Sequence, residues 1–152
     1  MRNRFTARLI PAALATLTAA VFATACGSST STGPTGSSLA GTWNLSTVNG
    51  NNLPAIFLVA TPDTGWITQG SVVLTSSTWK FTATADVSAG GIHTTQSQAD
   101  SGTYTVSGNT LSMTSAGDTS VTTATVNGST VTVSGVDFGT GTGALTLVFQ
   151  KQ

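Results

Sequence analysis

The segment "TQGSVVLTSSTWKFTATA", residues 68–85, constrains the fold more than any other part of this chain. Folded at Ser76–Ser77 as a two-residue turn, it sets Leu74 opposite Trp79, Val72 opposite Phe81, Gly70 opposite Ala83 and Thr68 opposite Ala85. One step further, Trp66 faces Val87. Nearly everything on that face is apolar or small. The other face carries Ile67, Gln69, Ser71, Val73 and Thr75 against Thr78, Lys80, Thr82, Thr84 and Asp86, and is mostly polar. Two runs that agree on which side is wet describe an antiparallel hairpin with one buried face.

The same pattern recurs along the chain. "YTVSGNTLSM" turns at Gly108–Asn109, pairing Val106 with Leu111 and Tyr104 with Met113. "TATVNGSTVTV" carries Asn127-Gly128, the strongest hairpin cue in the sequence, and a two- or four-residue loop there keeps Ala124, Val126, Val131 and Val133 on one face. At the C-terminus Leu145, Leu147, Phe149 and Lys151 alternate. With Thr42–Val48 and Ile92–Ser97 this makes eight or nine strands joined mostly by tight turns. Ser and Thr supply 45 of the residues from 28 onward, and no apolar stripe of helical period appears. The spacing predicts an all-β, small antiparallel up-and-down β-barrel of about eight strands, in which closure removes the sheet edges. A seven-stranded β-sandwich is the alternative. Residues 49–65, with Pro54, Pro62 and "AIFLVA", break the hairpin rule and are expected to cap a barrel mouth or act as a lid.

The N-terminus reads differently. Arg2, Arg4 and Arg8 precede an apolar run over 9–25, the layout of an export signal, and that run is short of the roughly 20 apolar residues a spanning helix wants. A retained membrane helix is the alternative. Ala23-Thr24-Ala25 suits ordinary signal peptidase. Together with Cys26 the same residues resemble the lipobox of bacterial lipoproteins, in which the cysteine becomes the lipidated N-terminus. An otherwise lone thiol in an oxidising compartment favours that second reading. Residues 1–25 are thus expected to be a signal peptide, 26–38 a lipidated Cys and a flexible Ser/Thr/Gly/Pro linker, and 39–152 the folded domain.

Within that domain, "LAGTWNLSTVNGNNLPA" and the closing "LVFQKQ" resemble the lipocalin-like domains of bacterial lipoproteins. Gly41-Thr42-Trp43 fits the family's Gly-x-Trp on the first strand, and Lys151 fits the basic residue near the end of the last strand that lies across the Trp. The resemblance implies barrel closure through Gly41, Trp43 and Lys151. The signal and the lipobox-like residues imply a bacterial cell-envelope protein, lipid-anchored at Cys26, with the outer membrane favoured because Gly27 and Ser28 lack the Asp that retains some lipoproteins in the inner membrane.

Chemistry is constrained by what is scarce. After Cys26 the chain has two lysines, five aspartates and no glutamate, too little positive charge for a nucleic-acid patch. A Ser-His-Asp arrangement has only His93 as its base, with no Gly-x-Ser-x-Gly elbow. Neither zinc nor calcium spacing occurs, and "GTGTG" at 139–143 is not a dinucleotide fingerprint. The expectation is a protein that is not an enzyme and uses no metal or cofactor. Trp66, Trp79, Phe81 and Tyr104 form the candidate pocket for a small hydrophobic ligand. The alternative is a solid core in a structural or protein-interaction module.

Overall fold

The computed structural model describes residues 33–138 and 143–152. One helical turn, α1 (Gly36–Leu39), leads into β1 (Gly41–Val48), β2 (Asn51–Asn52), β3 (Ala55–Ala60), β4 (Asp63–Leu74) and β5 (Thr78–Ala89). Then come β6 (Ile92–Ser107), β7 (Thr110–Ser115), β8 (Val121–Asn127), β9 (Thr130–Val136) and β10 (Leu145–Lys151). From β3 onward each strand pairs antiparallel with the next; β10 returns to β1, and β1 also pairs with β4. That last pairing closes β1 and β4–β10 into an eight-stranded up-and-down barrel.

The hairpin registers follow from side-chain alternation. Leu74 faces Trp79, Val72 faces Phe81 and Gly70 faces Ala83, as the sequence pattern predicts. Val106 faces Leu111, Tyr104 faces Met113, Val126 faces Val131 and Ala124 faces Val133. The inward residues of all these strands meet in one core whose most enclosed members include Trp43, Val48, Ile67, Leu111, Val131 and Phe149.

Beyond Gly70 the predicted register fails. A bulge at Thr68 sets Ile67, not Thr68, opposite Ala85 and turns Trp66 to the other face, opposite Asp86. Thr68 donates its hydroxyl to Thr84 O at 3.2 Å. The cause is a change of partner on the other edge of β4: Ser71–Leu74 pair with β1, whereas Asp63–Ile67 pair with β3. A bulge bends a strand and increases its twist, which is what leaving the barrel wall requires. Leu45 of β1 fills the fork, lying so close to Gly70 that a Cβ there would sit 2.9 Å from its Cδ2.

Two other expectations are corrected. Residues 49–65 are not a lid: Ala55–Ala60 form a strand on the edge of β4, with Ala55 and Phe57 buried and Ile56 and Val59 exposed. Ile92–Ser97 is not a separate strand but the first part of the sixteen-residue β6, of which only Gly102–Ser107 pair with β7. The rest, together with the far halves of β4 and β5 and with β3, forms an arm continuing past the barrel wall.

The tether expected over 27–38 is packed structure over Gly33–Ser38. Thr35 caps α1 with a capping box involving Ser38, and Leu39 inserts into the core. Polar groups of the barrel then hold the turn. Trp43 Nε1 donates to Leu39 O at 3.0 Å, Lys151 Nζ to Ser38 O at 2.7 Å, and the Tyr104 hydroxyl to Thr75 O at 2.6 Å, with Gly36 O at 3.3 Å. Composition alone does not show this, because hydroxyl-rich segments are flexible only while their backbone groups lack partners. Cys26 and the expected signal lie outside the described residues.

Candidate ligand site

The barrel interior is apolar and nearly filled. Residues of β4, β5, β7, β9 and β10 enclose a space of about 120 Å³, between Val72, Trp79 and Phe81 on one side and Leu111, Val133 and Phe149 on the other. Its polar rim is Asp100, Ser115 and Thr122. Asp100 accepts from the Ser115 hydroxyl at 2.7 Å and from Ser101 N at 2.7 Å, which fixes the carboxylate at the opening.

A second hollow of about 250 Å³ lies on the inner face of the arm. Ile67, Ala83, Ala85 and Val87 make its floor, Phe57, Leu58 and Phe138 its apolar walls, and Gln96 and Gln98 on β6 its polar flank. The small residues at 83 and 85 are what leave room there. Phe138 stands between the two spaces. Its ring is 6.0 Å from Phe57 in a T-shaped pair and 6.4 Å from Phe81, which in turn meets Phe149 edge-on at 6.2 Å. Such edge and tilted geometries are the favoured ones for aromatic rings.

The four candidate pocket residues do not come together. Trp79 and Phe81 line the barrel cavity, and the Trp79 indole is already committed to Thr103 O at 3.1 Å. Tyr104 sits at the α1 end with its hydroxyl held by Thr75 and Gly36. Burial raises its pKa above the usual value. Trp66 is on the outer face because of the Thr68 bulge and lines neither space. Phe57, Phe138, Gln96 and Gln98 were not singled out by sequence reasoning. Phe138 adjoins the Gly-rich loop without alternation to mark it, and the glutamines lie in a polar run that shows no buried face.

The closure residues do come together. Trp43 pairs with Lys151 across β1 and β10, and Lys151 Nζ lies 5.2 Å from the centre of the Trp43 ring. Gly41, at φ +134, starts the strand, and a Cβ there would be 3.5 Å from Lys151 Cε. The family model described as the lipocalin-like domain matches residues 39–133. The chain belongs to the lipocalin-like domain family. No curated protein matches it.

In this lipocalin-like domain His93 is exposed on the outer face of the arm, opposite Ser88. Among the described residues no group of three or more His, Cys, Asp or Glu is placed to hold a metal ion, and no helix is long and apolar enough to cross a membrane. The described residues therefore offer apolar enclosure with a few polar side chains at the rims.

Proposed function

We propose that the domain binds a small hydrophobic molecule without covalent chemistry, and that the hollow floored by Ala83 and Ala85 receives it. The supporting observation is the pairing of aromatic walls with a two-glutamine flank around a volume of about 250 Å³. Ligand sites are mostly apolar with a few convergent polar groups, and they usually measure roughly 300–1,000 Å³. The size here fits a compact ring or a short acyl chain better than a large lipid. The barrel cavity, at about 120 Å³, suits packing rather than a guest.

The proposed setting is the bacterial envelope, with a signal over 1–25, lipidation at Cys26 and the outer membrane as the anchoring surface. The sequence supports this through Ala23-Thr24-Ala25-Cys26. The folded domain has two distinct ends. The α1 end adjoins the β4–β5 and β6–β7 turns, since Gly36 packs on Ser76 and Gly33 on Gly108. The arm ends in the Gly90–Gly91 turn at the far end of β5 and β6. The arm and its hollow thus lie at the opposite end of the domain from α1.

The test uses the Cys26→Ser chain purified without detergent and titrated with a compact, polarity-sensitive naphthalene fluorophore. Saturable uptake that is lost on Ala83→Trp, with the circular dichroism unchanged, is the expected result. No uptake by the parent chain refutes ligand binding. Fractionation of the same variant in cells tests the anchor, which fails if Cys26→Ser stays with the membranes.

A further inference from the structure

Among the described residues, the arm has an unpaired edge. β5 and β6 pair without a register shift from Thr78–Thr103 to Ala89–Ile92, whereas the β4–β5, β3–β4, β1–β10 and β9–β10 ladders each carry one. On its other side β6 meets β7 only over Gly102–Ser107, so no described strand pairs with residues 92–100 there. The hydrogen-bonding direction alternates along an antiparallel strand. Ser101 O accepts from Ala116 N at 2.8 Å on the β7 side, while Tyr104 N donates to Ser77 O at 2.8 Å on the β5 side. His93, Thr95, Ser97 and Ala99 therefore aim their N–H and C=O groups at the open edge.

Soluble proteins protect such edges with proline, lysine, bulges, shortness or a covering element. The segment "IHTTQSQAD" has no proline or lysine and no bulge, and both of its faces are exposed. We propose that this edge binds the same edge of a second copy, antiparallel, across a two-fold axis through Gln96.

That register is self-complementary. It sets Thr95 opposite Ser97 of the second copy and His93 opposite Ala99, each exchanging N–H and C=O. On the inner face it sets Gln96 opposite Gln96 and Thr94 opposite Gln98. No aspartate or lysine faces its like, and a carboxamide both donates and accepts, so two Gln96 side chains suit one another. Antiparallel partners related by a two-fold keep the same faces of the sheet together, which makes the contact isologous and closed. Gln96 and Gln98 also flank the hollow, so the two hollows would share a glutamine seam. The pairing itself is independent of whether anything binds in them.

The experiment is sedimentation velocity on the Cys26→Ser chain together with oxidative cross-linking of a Gln96→Cys version. Opposed residues of the non-hydrogen-bonded kind lie about 4.5 Å apart at Cα, within the range a disulfide spans. A reversible dimer, a disulfide-linked dimer of Gln96→Cys, and loss of the dimer in Ser97→Pro are expected. Ser97 aims its N–H away from β5, so proline removes only the edge donor. Gln96→Lys, an exposed change that opposes two cations across the axis, serves as the second variant should proline disturb the arm. A chain that stays monomeric and uncross-linked overturns the proposal. So does a dimer that survives both substitutions, or a monomer whose edge captures an unrelated extended peptide.

Discussion

Tyr104 ties α1 to the barrel through a single hydroxyl, and its titration should be visible in the stability of the whole domain. The phenol donates to Thr75 O at 2.6 Å, with Gly36 O at 3.3 Å, and burial raises its pKa. Both neighbours are acceptors, so a phenolate there would lose its bond and face two carbonyl oxygens. The sign follows from linkage. An acid whose pKa is higher in the folded than in the unfolded state stabilises the fold fully below the unfolded value, near 10, and loses that contribution as pH rises through the folded value. Each unit of elevation corresponds to about 1.4 kcal/mol. At neutral pH, Tyr104→Phe should cost about 1–1.5 kcal/mol for the lost hydrogen bond. For a domain of this size that lowers Tm by about 3–6 °C. The chain has one tyrosine, so near-ultraviolet tyrosinate absorbance reports this group alone. Thermal melts of both proteins between about pH 8 and 11 complete the assay, because any other titration is common to the two and cancels in their difference. Parallel loss of stability in the two proteins, or a tyrosinate midpoint at or below the ordinary value, refutes the reasoning.

Gly102→Ala should be far more damaging, because a Cβ at that position would lie 1.9 Å from Thr114 O, a backbone atom that cannot move without opening the β6–β7 ladder. A loss of about 3 kcal/mol or more in urea denaturation is expected, and a wild-type midpoint would contradict it. Lys151→Met keeps the aliphatic stem but removes the cation over Trp43 and the bond to Ser38 O. It should cost about 1 kcal/mol and alter the Trp emission, and an unchanged melt would show that closure does not draw on the charge.

The barrel was legible wherever one face of a strand is wet and the other dry. Leu74–Trp79, Val106–Leu111 and Val126–Val131 are pairs that alternation places correctly. Trp66 was misplaced because both it and Ile67 are apolar, and a bulge leaves no mark when either face can accept either residue. The first part of β6 was under-read for the opposite reason: with water on both sides, residues 92–101 carry no alternation at all. The lipocalin-like closure was readable from Gly41, Trp43 and Lys151. The hollow was not, since Ala83, Ala85 and Phe138 acquire meaning only once Phe138 is brought against the arm.

The meeting of the two chain ends has a mechanical consequence. Gln152 N donates to Thr42 O at 3.0 Å, and Trp43 lies across from Lys151, so the start of β1 and the end of β10 leave the barrel side by side. A force pulling those ends apart acts across the strands and not along them. It would peel β10 from β1 bond by bond, beginning at Gln152, instead of loading the whole ladder together in shear. A domain held by its N-terminal side alone never feels that load. A cargo or second domain joined after Gln152 would put this seam under that load.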